Sequence, residues 1–230
     1  MKRKSGKKKY IVVAMIIVFV IALGVIAFQA YGQIRVISRE ANKILQMDLD
    51  NDYLDTNIYT DGDYGVVEAT MKSYVMTYMY RLDQFINTNN DDRLSSLLGI
   101  ANLKSDAPNF TESLKYIEEK RNTMESLEKE LESLGTEERI MEVFDGTGLN
   151  RFFRWIYRRE MLQNISLDFY YPATELRNAM QNMEKSLDSK KAVLEYLISC
   201  AGKWEIEDDA LQFETDELLN GYKKVIAAVS

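Results

Sequence analysis

The sequence predicts a mainly α-helical protein, with an N-terminal transmembrane helix and stalk followed by an extracytoplasmic helical bundle that a small C-terminal β-hairpin and helix close. Three observations predict this fold. Residues 11–28 are an unbroken apolar run, apolar residues recur at helical spacing through 64–202, and the period changes to strict alternation over 204–214. We expect four segments, namely a basic cytoplasmic tail (1–9), the transmembrane helix (10–31), a stalk and acidic linker (32–63) and the exterior helical domain (64–230).

The apolar run IVVAMIIVFVIALGVIAF, residues 11–28, contains eighteen residues without a polar side chain. At 1.5 Å per residue it spans about 27 Å, close to the roughly 30 Å of a bilayer's hydrocarbon core. Tyr10 and Tyr31 flank the run, as interfacial anchors commonly do. Six basic residues precede it, and the positive-inside rule therefore predicts a cell-membrane protein with its N-terminus in the cytoplasm and residues 33–230 outside.

Secretion after signal cleavage is the alternative, because Ala30-Tyr-Gly32 offers a small-x-small cleavage motif. The apolar run exceeds the roughly 7–15 residues of a usual signal-peptide core, which favours an uncleaved anchor. The exterior part lies outside the membrane in either case.

The next segment, residues 48–65, holds six aspartates. Three of them, Asp48, Asp50 and Asp52, match the first positions of a calcium-binding loop. The template then requires a glycine and a glutamate where this chain has Tyr53 and Tyr59. We therefore interpret the segment as an acidic linker between the stalk and the exterior domain.

Helical periodicity accounts for most of the remaining chain. The apolar run continues as a stalk to about Met47, and further helices are predicted over 64–86, 93–102, 111–134, 136–145, 149–163 and 172–202. Thr111 is predicted to cap its helix and Gly135 to end it, and Pro172 is predicted to open the last long helix. Gly146-Thr-Gly148 lacks the spacing and lysine of a phosphate-binding loop, and we interpret it as a turn rather than an anion site.

Apolar and polar residues alternate along the C-terminal segment, residues 204–214. Trp204, Ile206, Leu211 and Phe213 are predicted to share one face of a hairpin, with Glu205, Glu207, Gln212 and Glu214 on the other. The turn is predicted at Asp208-Asp209-Ala210, and Thr215 is predicted to cap a terminal helix. Neither the hairpin nor this helix is stable alone, so both are expected to pack on the bundle.

The composition excludes several kinds of chemistry. The 230-residue chain has no histidine and a single cysteine, Cys200, which excludes Ser-His-Asp and Cys-His catalysis and zinc sites built on His or Cys. Without the six basic residues of the tail, 23 basic and 36 acidic residues remain, a net charge of −13 that disfavours nucleic-acid binding. We expect no cofactor, no metal site and no nucleic-acid partner.

The segment RFFRWIYRR, residues 151–159, is the densest basic cluster in this acidic exterior part. On a helix, one face is predicted to enter the core: Leu149, Phe152, Phe153 and Ile156. Another face carries the candidate binding residues Arg151, Arg154, Trp155 and Arg158. Two interpretations are open, because these arginines could pair with the glutamate-rich helix 112–132 or bind an anionic partner or the outer leaflet, with Trp155 as an amphipathic anchor.

No catalytic residue is predicted, because the carboxylate pairs of this chain are adjacent in sequence and point apart on helices. The nine-residue tail is too short for a signalling domain. The sequence therefore favours a single-pass, membrane-anchored binding or scaffolding protein of a surface assembly, with a protein partner at its exterior domain; the alternative is a carboxylate-dependent enzyme acting on cell-envelope polymers. Cys200 is predicted to pack as a small apolar residue. An intermolecular disulfide at Cys200 and the oligomeric state stay open.

Overall fold

A computed structural model describes residues 5–47, 53–165 and 173–229 of the chain. It is mainly helical with one two-stranded antiparallel sheet, which confirms the predicted class at that level. The chain divides into two compact units. Unit 1 comprises Met1–Met76 and Glu137–Tyr170, and unit 2 comprises Thr77–Thr136 and Tyr171–Ser230.

Helix α1, Ser5–Leu45, contains both the apolar run and the predicted stalk. Among the described residues it is the one helix long and apolar enough to cross a membrane. The described side chains of its apolar part, Met15 and residues 17–28, are exposed, whereas Ile37, Ala41 and Ile44 are buried in unit 1. The stalk prediction is confirmed as helix to within two residues of Met47, and its far end is part of a packed core.

Helix α2, Gly62–Asn89, follows the linker, and its first part belongs to unit 1. Its predicted apolar stripe is buried with one exception: Val67, Met71, Tyr74, Val75, Tyr78, Leu82 and Phe85 are buried, and Ile86 is 41% exposed. The prediction for Ile86 is therefore wrong. The aspartates at 48, 50 and 52 lie outside the described residues.

Unit 1 is completed by α6, Glu137–Asp145, and α7, Arg151–Arg159, which continues as a single π-helical turn over Glu160–Asn164. The sequence predicted one α-helix over 149–163. The change of hydrogen-bond pattern after Arg159 lets the amide of Ile165 donate to the carbonyl of Glu160 at 2.7 Å.

Unit 2 contains the second part of α2, the short helices α3, Asp92–Ser96, and α4, Ile100–Asp106, and the long helix α5, Thr111–Leu134. The single helix predicted over 93–102 is wrong. Gly99 has an extended backbone and caps α4, which separates α3 from α4.

The predicted bounds of α5 are confirmed, but its cap is not Thr111. Phe110 precedes the helix in the left-handed conformation, with φ 49°. The carboxylate of Asp106 accepts hydrogen bonds from the amides of Glu112 at 3.1 Å and Ser113 at 2.7 Å. Asp106 thus satisfies first-turn amides that a threonine cap would otherwise serve.

Helix α8, Ala173–Ser199, packs along α5 in unit 2. Of its predicted inward residues, Ile198 is half-buried. The others are buried: Leu176, Met180, Met183, Leu187, Leu194 and Leu197. Pro172, the predicted opening residue, lies outside the described residues.

Strands β1, Trp204–Glu207, and β2, Ala210–Phe213, form the predicted hairpin, with Trp204 opposite Phe213 and Ile206 opposite Leu211. Asp208 and Asp209 both have positive φ, 48° and 57°, as a two-residue hairpin turn requires. Ala210 therefore belongs to β2 and not to the turn.

Helix α9, Asp216–Ile226, is followed by a 3₁₀ turn, Ala227–Val229. The Thr215 hydroxyl accepts from the amide of Leu218 at 3.3 Å, so the predicted cap is confirmed. The hydroxyl of Tyr196 on α8 donates to the carbonyl of Leu218 at 2.7 Å, which ties α9 to α8.

Candidate functional site

Helix α7 forms because a turn and a cap define where it begins. Gly148 adopts φ +71°, a conformation that favours glycine. Two residues later the side-chain oxygen of Asn150 accepts from the amide of Phe152 at 2.9 Å and caps the helix. Phe153, Ile156 and Tyr157 are buried and bind the inner face of α7 to unit 1.

The opposite face of α7 presents the predicted site to solvent. Arg151 and Arg158 are exposed, Arg154 is partly exposed and the Trp155 side chain is 53% exposed. The structure thus places the four predicted residues on the outward side of one helix. Phe152, predicted for the core, is 45% exposed, and that prediction is wrong.

Two of the site's arginines have carboxylate partners on α6. Arg154 binds Asp145 through two nitrogens, at 2.7 and 3.1 Å, and Arg158 binds Glu137 at 2.8 and 2.9 Å. The hydrogen bonds from Arg154 hold the pKa of Asp145 below its usual range. Pairing with the glutamate-rich helix 112–132 was therefore the wrong interpretation for Arg154 and Arg158.

Arg151 and Trp155, the other two predicted residues of this face, have no such contact with a carboxylate of α6 that the structure describes. Arg151 forms no ion pair with any residue that the structure describes. The guanidinium of Arg159 lies 4.9 Å from the centre of the Trp155 ring and also bonds the Glu160 carboxylate, so one face of the indole is covered by a cation. The outward face of α7 therefore combines an available guanidinium with two exposed aromatic rings.

A buried cluster of charged residues, which was not predicted from the sequence, connects α1 to α2. Lys72 has a 3% exposed side chain, and its ammonium lies 3.1 Å from Glu40 and 2.9 Å from Glu68, both of which are almost fully buried. The same ammonium donates to the carbonyl of Asn57 at 2.6 Å. Burial alone would lower the pKa of Lys72, but the hydrogen bonds to Glu68 and Glu40 outweigh it and raise that pKa.

Glu68 also holds the end of the linker. One of its oxygens accepts from the amides of Tyr59 and Thr60, at 2.9 and 3.0 Å, and from the Thr60 hydroxyl at 2.8 Å. Just beyond, the amide of Asp61 donates to the side chain of Gln33 on α1 at 3.1 Å. The described end of the acidic linker is therefore bound to both helices.

A second buried carboxylate joins α1 to the end of α7. Glu160 is fully buried, accepts from the Ser38 hydroxyl of α1 at 2.8 Å and is paired with Arg159. Asn164 donates to its other oxygen. Polar side chains thus fix α1 at two positions, in addition to the apolar contacts of Ile37, Ala41 and Ile44.

The sequence carried a signal for these clusters. Glu40 is spaced three residues from Ile37 and four from Ile44, and Glu68 and Lys72 each directly follow a buried apolar residue of α2. Charged residues that occupy a helix's apolar face require partners there, because an unpaired buried charge is very costly. These positions therefore indicate buried charges, although they do not indicate which residues pair.

Unit 2 has an open groove between the end of α2 and α5. Most of its lining side chains carry an amide or a hydroxyl group: Gln84, Asn87, Thr88, Asn122, Thr123 and Ser126. Arg81, Asp91, Lys120 and Leu127 complete the lining. Asp91 accepts from Lys120 and from the Tyr116 hydroxyl, both at 2.6 Å. The bonds from Lys120 and then Tyr116 lower the pKa of Asp91 to about 2.

The single cysteine is buried in unit 2, where its thiol donates to the carbonyl of Tyr196 at 3.1 Å. Burial raises the pKa of Cys200. This placement agrees with the predicted packing role of Cys200, because a buried protonated thiol reacts slowly.

No family model, curated protein or solved structure matches the chain.

Proposed function

We propose that the protein is a single-pass membrane-anchored binding or scaffolding protein of a surface assembly, with its N-terminus in the cytoplasm and residues 33–230 outside. The charge asymmetry around residues 11–28 supports this orientation. The observation that carries the proposal is the continuity of α1, because one helix runs from the apolar run into the core of unit 1.

The attachment of α1 favours a scaffold over a flexible tether. Glu40 and Ser38 are held by Lys72 and Glu160, so rotation or withdrawal of α1 would leave buried charges without partners. Ala30 and Gly32, the small residues of the cleavage motif, lie inside α1. This helical context favours the uncleaved anchor over secretion.

A binding role is favoured over catalysis by the state of the buried carboxylates. Glu40 and Glu68 share the Lys72 ammonium, and Glu160 is bound by Arg159. A carboxylate that is ion-paired and buried cannot reach a polymer in solvent to serve as an acid or a base. The groove of unit 2 offers amide and hydroxyl groups instead, which suit hydrogen bonding to a polar polypeptide segment.

A photo-crosslinking residue placed in the full-length protein in its native membrane tests the binding role. Asn122 lines the groove, and Lys115, on the same helix, is exposed and does not line it. We expect Asn122 substituted by the crosslinker to yield a discrete protein adduct and Lys115 substituted in the same way to yield far less. Equal yields from both positions, or no adduct from Asn122, would contradict partner binding at the groove.

A further inference from the structure

The outward face of α7 exposes two aromatic rings beside arginines. Trp155 and Phe152 are about half exposed, whereas Phe144, Phe153 and Tyr157 are buried. Tryptophan beside arginine is the composition typical of protein surfaces that lie in the headgroup zone of a bilayer.

The contacts of unit 1 define how far this face lies from the apolar run. Asp61, immediately before α2, bonds Gln33 of α1, and Tyr64 in the first turn of α2 packs edge-on against Phe153, with ring centres 5.0 Å apart, and against Phe152. Gln33 follows Phe28 by five residues, about 7.5 Å along the helix axis. The headgroup zone on each side of a bilayer is about 5–8 Å thick. Gln33 therefore lies at the outer limit of the headgroup zone when residues 11–28 span the membrane, and the contacts of Asp61 and Tyr64 place the Phe152 end of α7 near that level.

The other end of α7 lies farther along α1. Glu160, directly after α7, bonds Ser38, which is five residues beyond Gln33. Helix α7 therefore begins near the end of the apolar run and proceeds away from it. Within α7, the backbones of Arg151 and Phe152 are nearest to the membrane, and that of Trp155 follows about one turn later. Because side chains on a helix lean towards its N-terminus, the long Trp155 side chain extends back towards the level of Arg151 and Phe152.

The charges of α7 suit phosphate groups. Arg154 and Arg158 are neutralised by Asp145 and Glu137, but Arg151 keeps its guanidinium free of ion pairs with any described residue. Asp61 and Asp63 at the start of α2 carry negative charge at the same level, so this end of unit 1 presents both signs. A phospholipid headgroup, whose phosphate accepts from a guanidinium, matches such a mixed surface.

We propose that the Arg151–Trp155 end of α7 docks on the phospholipid headgroups of the leaflet from which α1 emerges, with Phe152 and Trp155 in the interfacial zone and Arg151 bound to phosphate. This inference rests on the proposed membrane anchoring, since it requires residues 11–28 to span the bilayer. It gives the site on α7 a ligand, and it leaves the groove of unit 2 to the protein partner.

The chain has two tryptophans, so Trp204→Phe makes Trp155 the single reporter. The full-length Trp204→Phe protein is reconstituted in phosphatidylcholine vesicles containing a minority of phosphatidylglycerol, with and without acyl chains brominated near the headgroup. We expect brominated lipid to remove at least about half of the Trp155 emission, because an interfacial indole lies within contact of those bromines. Arg151→Glu in the same background should restore most of that emission, and Arg177→Glu, which changes an exposed arginine of unit 2, should not.

Emission that brominated lipid leaves unchanged would overturn the docking, provided that the protein stays in the vesicles after alkaline extraction. Equal quenching in the Arg151→Glu and parent proteins would overturn the role of Arg151. Loss of the protein from the vesicles at alkaline pH would instead contradict the anchoring itself. The failure of the docking and the failure of the proposed function are thus distinguishable.

Discussion

Lys72 and Glu40 form an ion pair in the interior of unit 1, with Nζ 3.1 Å from Oε2 and both side chains almost fully buried. Glu40 belongs to the helix that contains the apolar run, and Lys72 to α2. The pair therefore links the candidate membrane anchor directly to the folded part that follows it. Its desolvation is offset only while every member of the cluster keeps its partner.

Lys72→Met should destabilise the protein by about 3–5 kcal/mol, because it leaves Glu40 and Glu68 buried without their shared cation. Lys43 also binds Glu40, at 2.7 Å, but its side chain is half exposed, and Lys43→Met should cost less than about 1 kcal/mol. Denaturant unfolding of the full-length protein in detergent measures both changes. Equal midpoints for the two variants would show that Lys72 does not compensate the buried carboxylates.

The ion pair of Asp91 predicts a specific dependence on pH. Its pKa of about 2 in the folded protein lies below the value of about 4 in an unfolded chain. The stabilisation from ionised Asp91 is therefore complete above about pH 4 and is lost as the pH falls towards 2. Asp91→Asn should cost about 1 kcal/mol at pH 7, after allowance for its partial exposure, and almost nothing at pH 2.

Unfolding of the parent and Asp91→Asn proteins at the two pH values checks this prediction. Asp188→Asn provides a matched control, because Asp188 pairs with Arg121 but its side chain is mostly exposed. A cost of Asp91→Asn that stays constant from pH 7 to pH 2 would assign its effect to packing and not to charge.

The stability that the hairpin contributes should depend on its aromatic face only. Trp204 stacks on Phe110 and donates to the Leu197 carbonyl at 2.8 Å, and Phe213 packs against Tyr222. Since the two side chains are half-buried, Trp204→Ala or Phe213→Ala should cost about 2–3 kcal/mol, somewhat less than for fully buried aromatics.

Glu205→Ala and Gln212→Ala on the opposite face should change stability by less than about 0.5 kcal/mol. Thermal unfolding of the four variants separates the faces. A common melting temperature for all four would mean that the aromatic face contributes no packing energy.

Gly221→Ala should destabilise unit 2 although alanine is the better helix former. A Cβ at this position would lie 2.3 Å from the Tyr196 hydroxyl, which the Leu218 carbonyl holds in place. The clash should outweigh the gain of about 1 kcal/mol from helix propensity and give a net loss of about 1–2 kcal/mol.

Tyr196→Phe removes the nearest clashing atom and the hydrogen bond that holds the ring in place, so Gly221→Ala should cost less in the Tyr196→Phe background than in the parent. A double-mutant cycle of melting curves measures this coupling. Additive effects would refute the close approach of α9 to Tyr196.

Sequence periodicity predicted well wherever burial follows a simple apolar pattern. The bounds of α5 were predicted from helical apolar spacing between Thr111 and Gly135, and the paired faces of the hairpin were predicted from alternation. Two of the errors arose where a helix begins. Gly99 divides the helix that was predicted over 93–102. Asp106, five residues before Thr111, accepts the first-turn hydrogen bonds of α5 that the sequence had assigned to Thr111.

The candidate site was predicted in its residue types but not in its contacts. Helical spacing placed Arg151, Trp155 and Arg158 on one face, whereas the partners of Arg154 and Arg158 depend on how α6 packs against α7, which spacing cannot give. The Glu40 and Lys72 pair was missed for a different reason. The two residues belong to different helices, and only the tertiary structure shows them opposite each other.

The central claim, an uncleaved α1 anchor with the following units outside, is tested most directly by cysteine labelling on intact cells. In a Cys200→Ala background, Ser5→Cys should resist a membrane-impermeant maleimide, whereas Asn89→Cys should react. After permeabilisation, Ser5→Cys should react in membrane-bound protein of full-length mass. Reaction of Ser5→Cys but not Asn89→Cys on intact cells, or loss of the N-terminal label from the mature protein, would contradict the account.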